Sequence, residues 1–202
     1  MTLSQVAPAT SLTVCSQAIV VGASAGALEA LSGLFSLLPE NYHLPILVVV
    51  HLPADRNSVM AEVIQAKCKL VVKEAEDKEP IEQGTVYFAP PDYHLLVEPD
   101  RRISLSSEEP VQFSRPSIDV LFESAADVYG SALIGVVLTG ANSDGSKGLK
   151  QIITAGGIGL VQSPELAQAR AMPQAALDAC PQARSLSIPE ISGYLREVKK
   201  CI

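Results

Sequence analysis

A strand, a glycine turn and a helix follow one another near the start of the chain, and Ser24 lies on the turn. Residues 19–21 are apolar and β-branched, which predicts a buried strand. Large apolar residues recur at helical spacing over 25–38, which predicts a helix. Gly22 and Gly26 complete a Gly-x-Ser-x-Gly motif around the serine. A turn of this kind projects the hydroxyl clear of the sheet, and the N–H groups that begin the helix can receive an oxyanion.

A glycine-rich turn after a strand can instead bind a phosphate or a dinucleotide. That motif requires Gly-x-Gly-x-x-Gly and an acidic residue near the end of the next strand. Here Ser24 and Ala27 stand in place of the second and third glycines, and the apolar run 45–50 is followed by His51. A nucleotide-binding α/β module therefore remains an alternative interpretation of this turn.

Composition and charge restrict the class of protein. The chain has 202 residues, 48% of them hydrophobic and 18% charged, which is enough to bury one full core. The net charge of −7 argues against a nucleic-acid partner or an anionic membrane. No apolar run approaches a membrane span, and no basic residue precedes Arg56, as a secretory signal would require. The four cysteines are scattered, so we expect a cytoplasmic protein with reduced thiols.

Strands and helices alternate along the sequence, which predicts a doubly wound α/β domain with a mostly parallel sheet and helices on both faces. We expect residues 1–17 to be a flexible tail and residues 18–202 to form a single domain. Between 74 and 107 the predicted strands are short and tightly connected, which favours an antiparallel hairpin at one edge of the sheet. The predicted strands are 19–21, 44–50, 70–73, 85–89, 93–97, 103–105, 132–138 and 158–161, and the predicted helices are 25–38, 58–68, 117–129, 146–155, 173–180 and a last one after 189.

Three predicted strands are followed by residues that together suit a hydrolase: Ser24, His51 and Asp144. Ligands of open parallel sheets bind beyond the carboxyl ends of the strands, so these side chains can meet at one edge. A serine becomes a nucleophile when an imidazole takes its proton, and a carboxylate orients the imidazole. Each residue alone has an ordinary structural role: a turn serine, a strand-end histidine and a helix-capping aspartate. Their common placement favours a serine hydrolase.

The remaining polar residues do not indicate a metal or cofactor site. We expect His43 and His94 to be surface or structural residues, and Asp119 and Asp127 to be solvated or capping. No group of cysteine, histidine and carboxylate residues has metal-ligand spacing, so we predict neither a metal nor a cofactor.

Several longer blocks, in this order, resemble the catalytic domain of chemotaxis receptor protein-glutamate methylesterases of the CheB type. The likeness extends from about residue 18 to 179. The blocks are Val-Gly-Ala-Ser-Ala-Gly at 21–26, Val-His-Leu-Pro at 50–53, Gly-Thr-Val-Tyr-Phe-Ala-Pro at 84–90, Arg-Pro-Ser-Ile-Asp-Val-Leu-Phe at 115–122, Val-Leu-Thr-Gly at 137–140, Ser-Asp-Gly at 143–145 and Met-Pro at 172–173.

The resemblance implies hydrolysis of glutamate γ-methyl esters on the cytoplasmic helices of chemoreceptors, and often deamidation of receptor glutamines. It implies Ser24 as the nucleophile, His51 as the general base and acid, and Asp144 as the residue that orients the imidazole. The backbone N–H groups of Ala25 and Ala141 would receive the oxyanion. The implied partner is a methylated chemoreceptor, with a separate response regulator as a further possible partner.

The sequence departs from the family pattern around the predicted site. The family more usually has Thr at Ala25, Gly at Ala27, Met-Gly-Asn at 141–143 and Gly at Ala171. Backbone donors survive such changes, but the pocket wall is altered, so a catalytically idle domain that only binds receptors or a regulator is a third interpretation. The family's usual N-terminal receiver domain is absent from these residues, and we therefore expect a stand-alone catalytic domain without phosphorylation control of its own.

Overall fold

The computed structural model describes residues 15–51 and 60–200. Its strands are β1 (Cys15–Ser16), β2 (Ala18–Ala23), β3 (Ile46–Val50), β4 (Val71–Glu74), β5 (Thr85–Phe88), β6 (His94–Val97), β7 (Ile103–Ser106), β8 (Leu133–Val137), β9 (Ile158–Gln162), β10 (Arg184–Leu186) and β11 (Lys199–Lys200). Its α-helices are α1 (Ala27–Phe35), α2 (Met60–Gln65), α3 (Ile118–Tyr129), α4 (Ser146–Thr154), α5 (Ala171–Ala179) and α6 (Ile188–Glu197). The predicted start of the second helix lies outside the described residues.

Seven strands form the main sheet in the order β10-β9-β8-β2-β3-β5-β4, and every neighbouring pair in it is parallel. The three central strands, β8, β2 and β3, are buried along their whole length. Their continuous apolar sequences are what a parallel sheet covered on both faces requires. The predicted doubly wound α/β architecture is confirmed.

Helices cover both faces of this sheet. On β2, the side chains of Ile19 and Val21 belong to one core cluster, which includes residues of α1, α2 and α6. Ala18 and Val20 belong to a second cluster on the opposite face, together with residues of α3, α4 and α5. Because side chains alternate along a strand, β2 contributes residues to both hydrophobic cores.

The segment between β4 and α3 differs in part from the prediction. The antiparallel hairpin is present as β6 and β7, but these strands form a separate two-stranded sheet. Strand β5 instead lies in the main sheet, parallel to both β3 and β4. All four of its residues are buried, as expected of an interior strand. The placement of β5 was missed because the sequence of a short strand with tight connections does not indicate which sheet the strand joins.

The two ends of the described chain meet, because β1 pairs in parallel with β11. Residues 1–14 of the predicted tail lie outside the described residues. Cys68 and Cys180 are free, as predicted, and both are buried. Cys15 is disulfide-bonded, so the prediction of reduced thiols is wrong for that residue. Within the described ranges, no helix is both long and apolar enough to cross a bilayer.

The order of the strands reverses between β2 and β8. The connection from β2 passes through α1 on one face to β3, whereas the connection from β8 passes through α4 on the other face to β9. A crevice opens beyond the carboxyl ends of two strands whose connections leave in opposite directions. The loops that follow β2 and β8 border this crevice, and they contain Ser24 and Asp144 respectively.

Candidate active site

Ser24 lies on a tight turn between β2 and α1, as the sequence predicts. Its backbone N–H donates to the carbonyl of Thr139 (2.9 Å), and its carbonyl accepts from the N–H of Ala27 (2.9 Å). Gly26 has a φ of 83°, and a Cβ there would lie 2.6 Å from the side-chain oxygen of Gln168. Both the left-handed backbone and this close approach require glycine at position 26. Ser24 itself is partly exposed, so its hydroxyl is within reach of a substrate.

His51 follows β3, the strand next to β2. Gly22 and Val49 are register partners, and they precede Ser24 and His51 by two residues each. This register places Ser24 and His51 each one residue beyond the end of its strand. Adjacent strands lie roughly 4.8 Å apart, so the two residues occupy neighbouring positions at the carboxyl edge.

Asp144 lies in the loop after β8, and its side chain is fully buried against His51. The Nε2 atom of His51 lies 2.8 Å from Oδ2 of Asp144. The carboxylate also accepts hydrogen bonds from the backbone N–H of Ile118 (2.7 Å), the backbone N–H of Asp119 (2.9 Å), the hydroxyl of Ser117 (3.0 Å) and the backbone N–H of Gly145 (2.9 Å).

These contacts determine the charge of Asp144. Burial by itself would raise its pKa, but the hydrogen bonds from His51 and from the backbone N–H groups of Asp119 and Ile118 outweigh that effect. The pKa of Asp144 is therefore lowered from its ordinary value. The carboxylate is ionised at neutral pH and can orient and stabilise an imidazolium.

The hydrogen bond to Asp144 assigns the roles of the two ring nitrogens of His51. Nε2 carries the proton that is donated to the carboxylate, which leaves Nδ1 as an acceptor. The side-chain nitrogen of Asn142 lies 3.2 Å from Nδ1, while its side-chain oxygen accepts from the backbone N–H of Asp144 (3.2 Å). The second contact orients the amide so that its NH2 group faces the imidazole. Among the described residues, no hydrogen bond joins the hydroxyl of Ser24 to His51.

The two residues predicted to supply the oxyanion donors lie on the loops at the crevice. Ala25 and Ala141 are both exposed, and within residues 15–51 and 60–200 neither backbone N–H donates a hydrogen bond to the protein. The neighbouring N–H of Gly140, by contrast, is held by the carbonyl of Ala169 (3.0 Å). The N–H groups of Ala25 and Ala141 are therefore available to a ligand.

Thr139 joins three loops around the crevice, and its role was not predicted. Its hydroxyl donates to the carbonyl of Ala25 (2.8 Å) and accepts from the backbone N–H of Ala169 (2.8 Å). Its own backbone N–H donates to the side chain of Gln162 (2.9 Å). Thr139 was part of a block that resembles the family, but nothing in its sequence neighbourhood indicates these partners.

His94 and Asp119, for which structural roles were among the predictions, lie close to the residues that contact Asp144. His94 is buried rather than on the surface, and its Nδ1 accepts from the backbone N–H of Ser117 (3.2 Å). Asp119 was predicted to be either solvated or a capping residue, and it is a capping residue: its Oδ1 accepts from the N–H of Gly148 in the first turn of α4 (2.8 Å). Its side chain is buried. Burial, together with the negative charge of Asp144, raises the pKa of Asp119 to about 6.

A metal-binding arrangement is not found in the part of the chain that the structure describes, where no three or more His, Cys, Asp and Glu side chains are grouped to hold an ion.

Comparisons of the sequence and of the fold with known proteins point to the same family. Residues 19–195 match the family model for the CheB methylesterase. The chain is 47% identical over 176 residues to a Leptospira interrogans protein named as a protein-glutamate methylesterase/protein-glutamine glutaminase, and the match covers 87% of this chain and 91% of that protein. A Maricaulis maris protein of that name is 35% identical over 185 residues, but the match covers 90% of this chain and only 46% of the relative.

A solved structure shows the same fold. The crystal structure of the Thermotoga maritima CheB methylesterase catalytic domain superimposes with a TM-score of 0.86 at 31% sequence identity. The alignment covers 91% of this chain and 99% of that domain.

Proposed function

The chain belongs to the CheB methylesterase family, and from that premise we propose that it hydrolyses glutamate γ-methyl esters on chemoreceptor helices with Ser24, His51 and Asp144 as its catalytic triad. The observation that carries the assignment is the 2.8 Å contact between His51 and a buried, ionised Asp144, beside the strand end that presents Ser24. An imidazole with one nitrogen held by a carboxylate and the other left as an acceptor is the base that a serine nucleophile needs.

In the first half of the reaction, the Ser24 hydroxyl takes the place of the Asn142 amide at Nδ1 of His51. Its oxygen attacks the ester carbonyl carbon while Nδ1 takes the hydroxyl proton. The backbone N–H groups of Ala25 and Ala141 donate to the oxyanion that forms on the carbonyl oxygen. The imidazolium then returns its proton to the departing methoxide, so that methanol leaves and the glutamyl group remains esterified to Ser24.

In the second half, water replaces methanol. His51 takes a proton from this water through Nδ1, and the resulting hydroxide attacks the acyl carbon. The proton then passes from His51 to the Ser24 oxygen as the acyl bond breaks, which releases the glutamate carboxylic acid. The ionised Asp144 stabilises the imidazolium in both halves without taking up a proton.

The same site suits deamidation of receptor glutamines. A glutamine side chain would acylate Ser24 in the same way, with ammonia in place of methanol as the leaving group, and water would release glutamate. Relatives of the chain carry both activities in their names.

The assignment is tested by methanol release from a methylated chemoreceptor, measured for wild type and for Ser24→Ala side by side. We expect Ser24→Ala to reduce turnover on the order of 10⁶-fold, as the loss of a triad nucleophile does in well-studied hydrolases. Ser36→Ala is the matched control, because Ser36 lies at the far end of α1, is exposed, and should leave turnover unchanged.

A fluorophosphonate probe adds a test that does not depend on the choice of substrate. Wild type should form a covalent adduct on Ser24, and Ser24→Ala should form none. If folded wild type does not react with the probe, the protein is catalytically idle. If Ser24→Ala retains wild-type turnover, Ser24 is not the nucleophile.

A further inference from the structure

A tight turn at the rim of the crevice exposes a large aromatic side chain. This rim turn consists of residues 111–114, with the sequence Val-Gln-Phe-Ser. Phe113 has a relative exposure of 103%, the largest of any large hydrophobic residue in the described chain, and Val111 on the same turn is 37% exposed. The turn is closed by two backbone hydrogen bonds, from Val111 N–H to Ser114 (3.1 Å) and from Ser114 N–H to Val111 (2.9 Å).

The backbone of the rim turn is strained. Gln112 and Phe113 have φ values of 49° and 63°, a region that residues with a Cβ rarely adopt. Glycine or asparagine would occupy these positions at lower cost, so local stability does not account for glutamine and phenylalanine here. Strain of this kind persists where the surrounding structure holds it, and it is concentrated at functional sites.

Polar contacts connect the rim turn to the loop 139–145, which contains Asp144. The Gln112 side-chain NH2 donates to Asp119 (2.7 Å), and its side-chain oxygen accepts from the hydroxyl of Ser143 (3.4 Å), the residue before Asp144. At the base of the turn, Arg115 donates to the carboxylate of Asp92 (2.7 Å) and to the carbonyls of Ser107 and Glu108. Gln112 therefore faces the protein, and its neighbour Phe113 is held out into solvent.

Among the described residues, four other large apolar residues are exposed outside the rim turn. Leu166, in the loop after β9, and Tyr93, next to Asp92 at the base of the rim turn, lie on the same side of the sheet as the crevice but are only 64% and 45% exposed. Val71 begins β4, and Leu37 follows the end of α1, so both lie at the opposite edge of the sheet from the crevice. Scattered exposed hydrophobic residues are ordinary on protein surfaces. Phe113 differs because its side chain is fully exposed, and because the turn that carries it is connected through Gln112 and Ser143 to the loop that contains Asp144.

We propose that Phe113 is a docking residue for the receptor helix that carries the methyl ester, packing against its apolar side chains while the ester reaches Ser24. The inference rests on the proposed function, because a protein substrate must be held at the rim while one of its side chains enters the crevice. Rigid aromatic residues lose little conformational entropy on binding and often dominate interface energetics. A small ester, which does not extend to the rim, gains nothing from this contact.

The test compares a protein substrate with a small one. Phe113→Asn removes the aromatic ring and keeps a residue that tolerates the left-handed backbone, so the turn should fold. We expect kcat/KM for methanol release from methylated receptor to fall by about 30-fold, the effect of losing an aromatic hot spot. Hydrolysis of p-nitrophenyl acetate should persist in this variant, and Phe113→Tyr should retain most of the activity on the receptor.

Leu37→Asn is the matched control, since it removes an exposed apolar side chain at the opposite edge and should leave both activities unchanged. The proposal is overturned if Phe113→Asn cleaves methylated receptor as well as wild type does. It is also overturned if both substrates lose activity equally, because the turn would then support the triad and not the substrate. A wild-type protein that cleaves p-nitrophenyl acetate but not methylated receptor refutes the proposed function itself, which is a different outcome from either of these.

Discussion

Asp144 accepts hydrogen bonds from two directions at once. On one side it holds Nε2 of His51, and on the other it accepts the backbone N–H groups of Ile118 and Asp119 at the start of α3. The sequence presented helix capping and catalytic orientation as alternative roles for this residue. The structure shows that one carboxylate caps a helix and holds the imidazole together, and the helix N–H groups help to keep it ionised.

Asn142 gives a prediction at the scale of a single residue. Its amide contacts the ring nitrogen of His51 that accepts the Ser24 proton in the proposed mechanism, so under that mechanism the amide competes with the nucleophile. We expect Asn142→Ala to raise kcat/KM by about 2- to 10-fold, which corresponds to the usual net contribution of one hydrogen bond. The measurement is hydrolysis of both p-nitrophenyl acetate and methylated receptor, and both should rise together.

The control for this variant is Lys147→Ala, an exposed residue of α4 whose removal leaves the Asn142 amide in place. A fall in activity on losing the Asn142 side chain would mean that the amide assists the reaction.

The sequence could not reveal the contact between Asn142 and His51, because it depends on how the loop 139–145 folds back over the imidazole. The placement of Ser24, His51 and Asp144 after strands could be predicted, because each of those strands is a continuous apolar run in the sequence.

At the scale of elements, α3 and α4 cap each other. Asp144, just before α4, accepts from the first N–H groups of α3, and Asp119, in the first turn of α3, accepts from Gly148 in α4. A Cβ at Gly148 would lie 2.4 Å from Cβ of Phe122, so the two helices are close enough for this exchange only with glycine there. The reciprocal caps place two carboxylates side by side in the protein interior.

This pair of carboxylates predicts a pH dependence of stability. Burial, with the charge of Asp144 adding to it, raises the pKa of Asp119 from 3.8 to about 6 in the folded state. A raised pKa means that the folded state favours the protonated form, so the contribution to stability is complete below about pH 4 and is lost as the pH rises through about 6. Asp119→Asn cannot titrate, so wild type should lose at most about 3 kcal/mol relative to this variant between about pH 4 and 7.

Urea unfolding of both proteins at several pH values measures this difference. Asp127→Asn on the same helix is the control, because Asp127 is exposed and its removal should not change the pH dependence. If wild type and Asp119→Asn lose stability in parallel as the pH rises, the titrating group lies elsewhere.

The elements themselves were predicted to different extents. Helices α3 and α4 and the central strands were found within about two residues, since their apolar spacing is long and regular. Strand β10 was missed because it has only three residues, none of them buried, and so has no apolar run. Its position is set by pairing with β9, which is a contact between segments and leaves no local trace in the sequence.

At the scale of the whole molecule, a chain of contacts joins the small antiparallel sheet to the proposed catalytic residues. His94 on β6 accepts the backbone N–H of Ser117, whose hydroxyl donates to Asp144, which in turn holds His51. The second ring nitrogen of His94 lies 3.2 Å from the carbonyl of Glu109. Because Nδ1 accepts from Ser117, Nε2 carries the proton and donates to Glu109. The hairpin therefore fixes the start of α3, and through it the carboxylate.

Two substitutions of His94 separate these contacts. Asparagine places its side-chain oxygen near the position of Nδ1 and can keep the bond to Ser117, whereas glutamine reaches the position of Nε2 and can keep the bond to Glu109. Each variant loses one hydrogen bond of a buried residue, so similar losses of thermal stability are expected. If the contact with Ser117 positions Asp144, His94→Gln should lower kcat on p-nitrophenyl acetate by about 2- to 10-fold relative to His94→Asn. Equal kcat values in the two variants, at equal stability, would show that the hairpin supports the fold without positioning the triad.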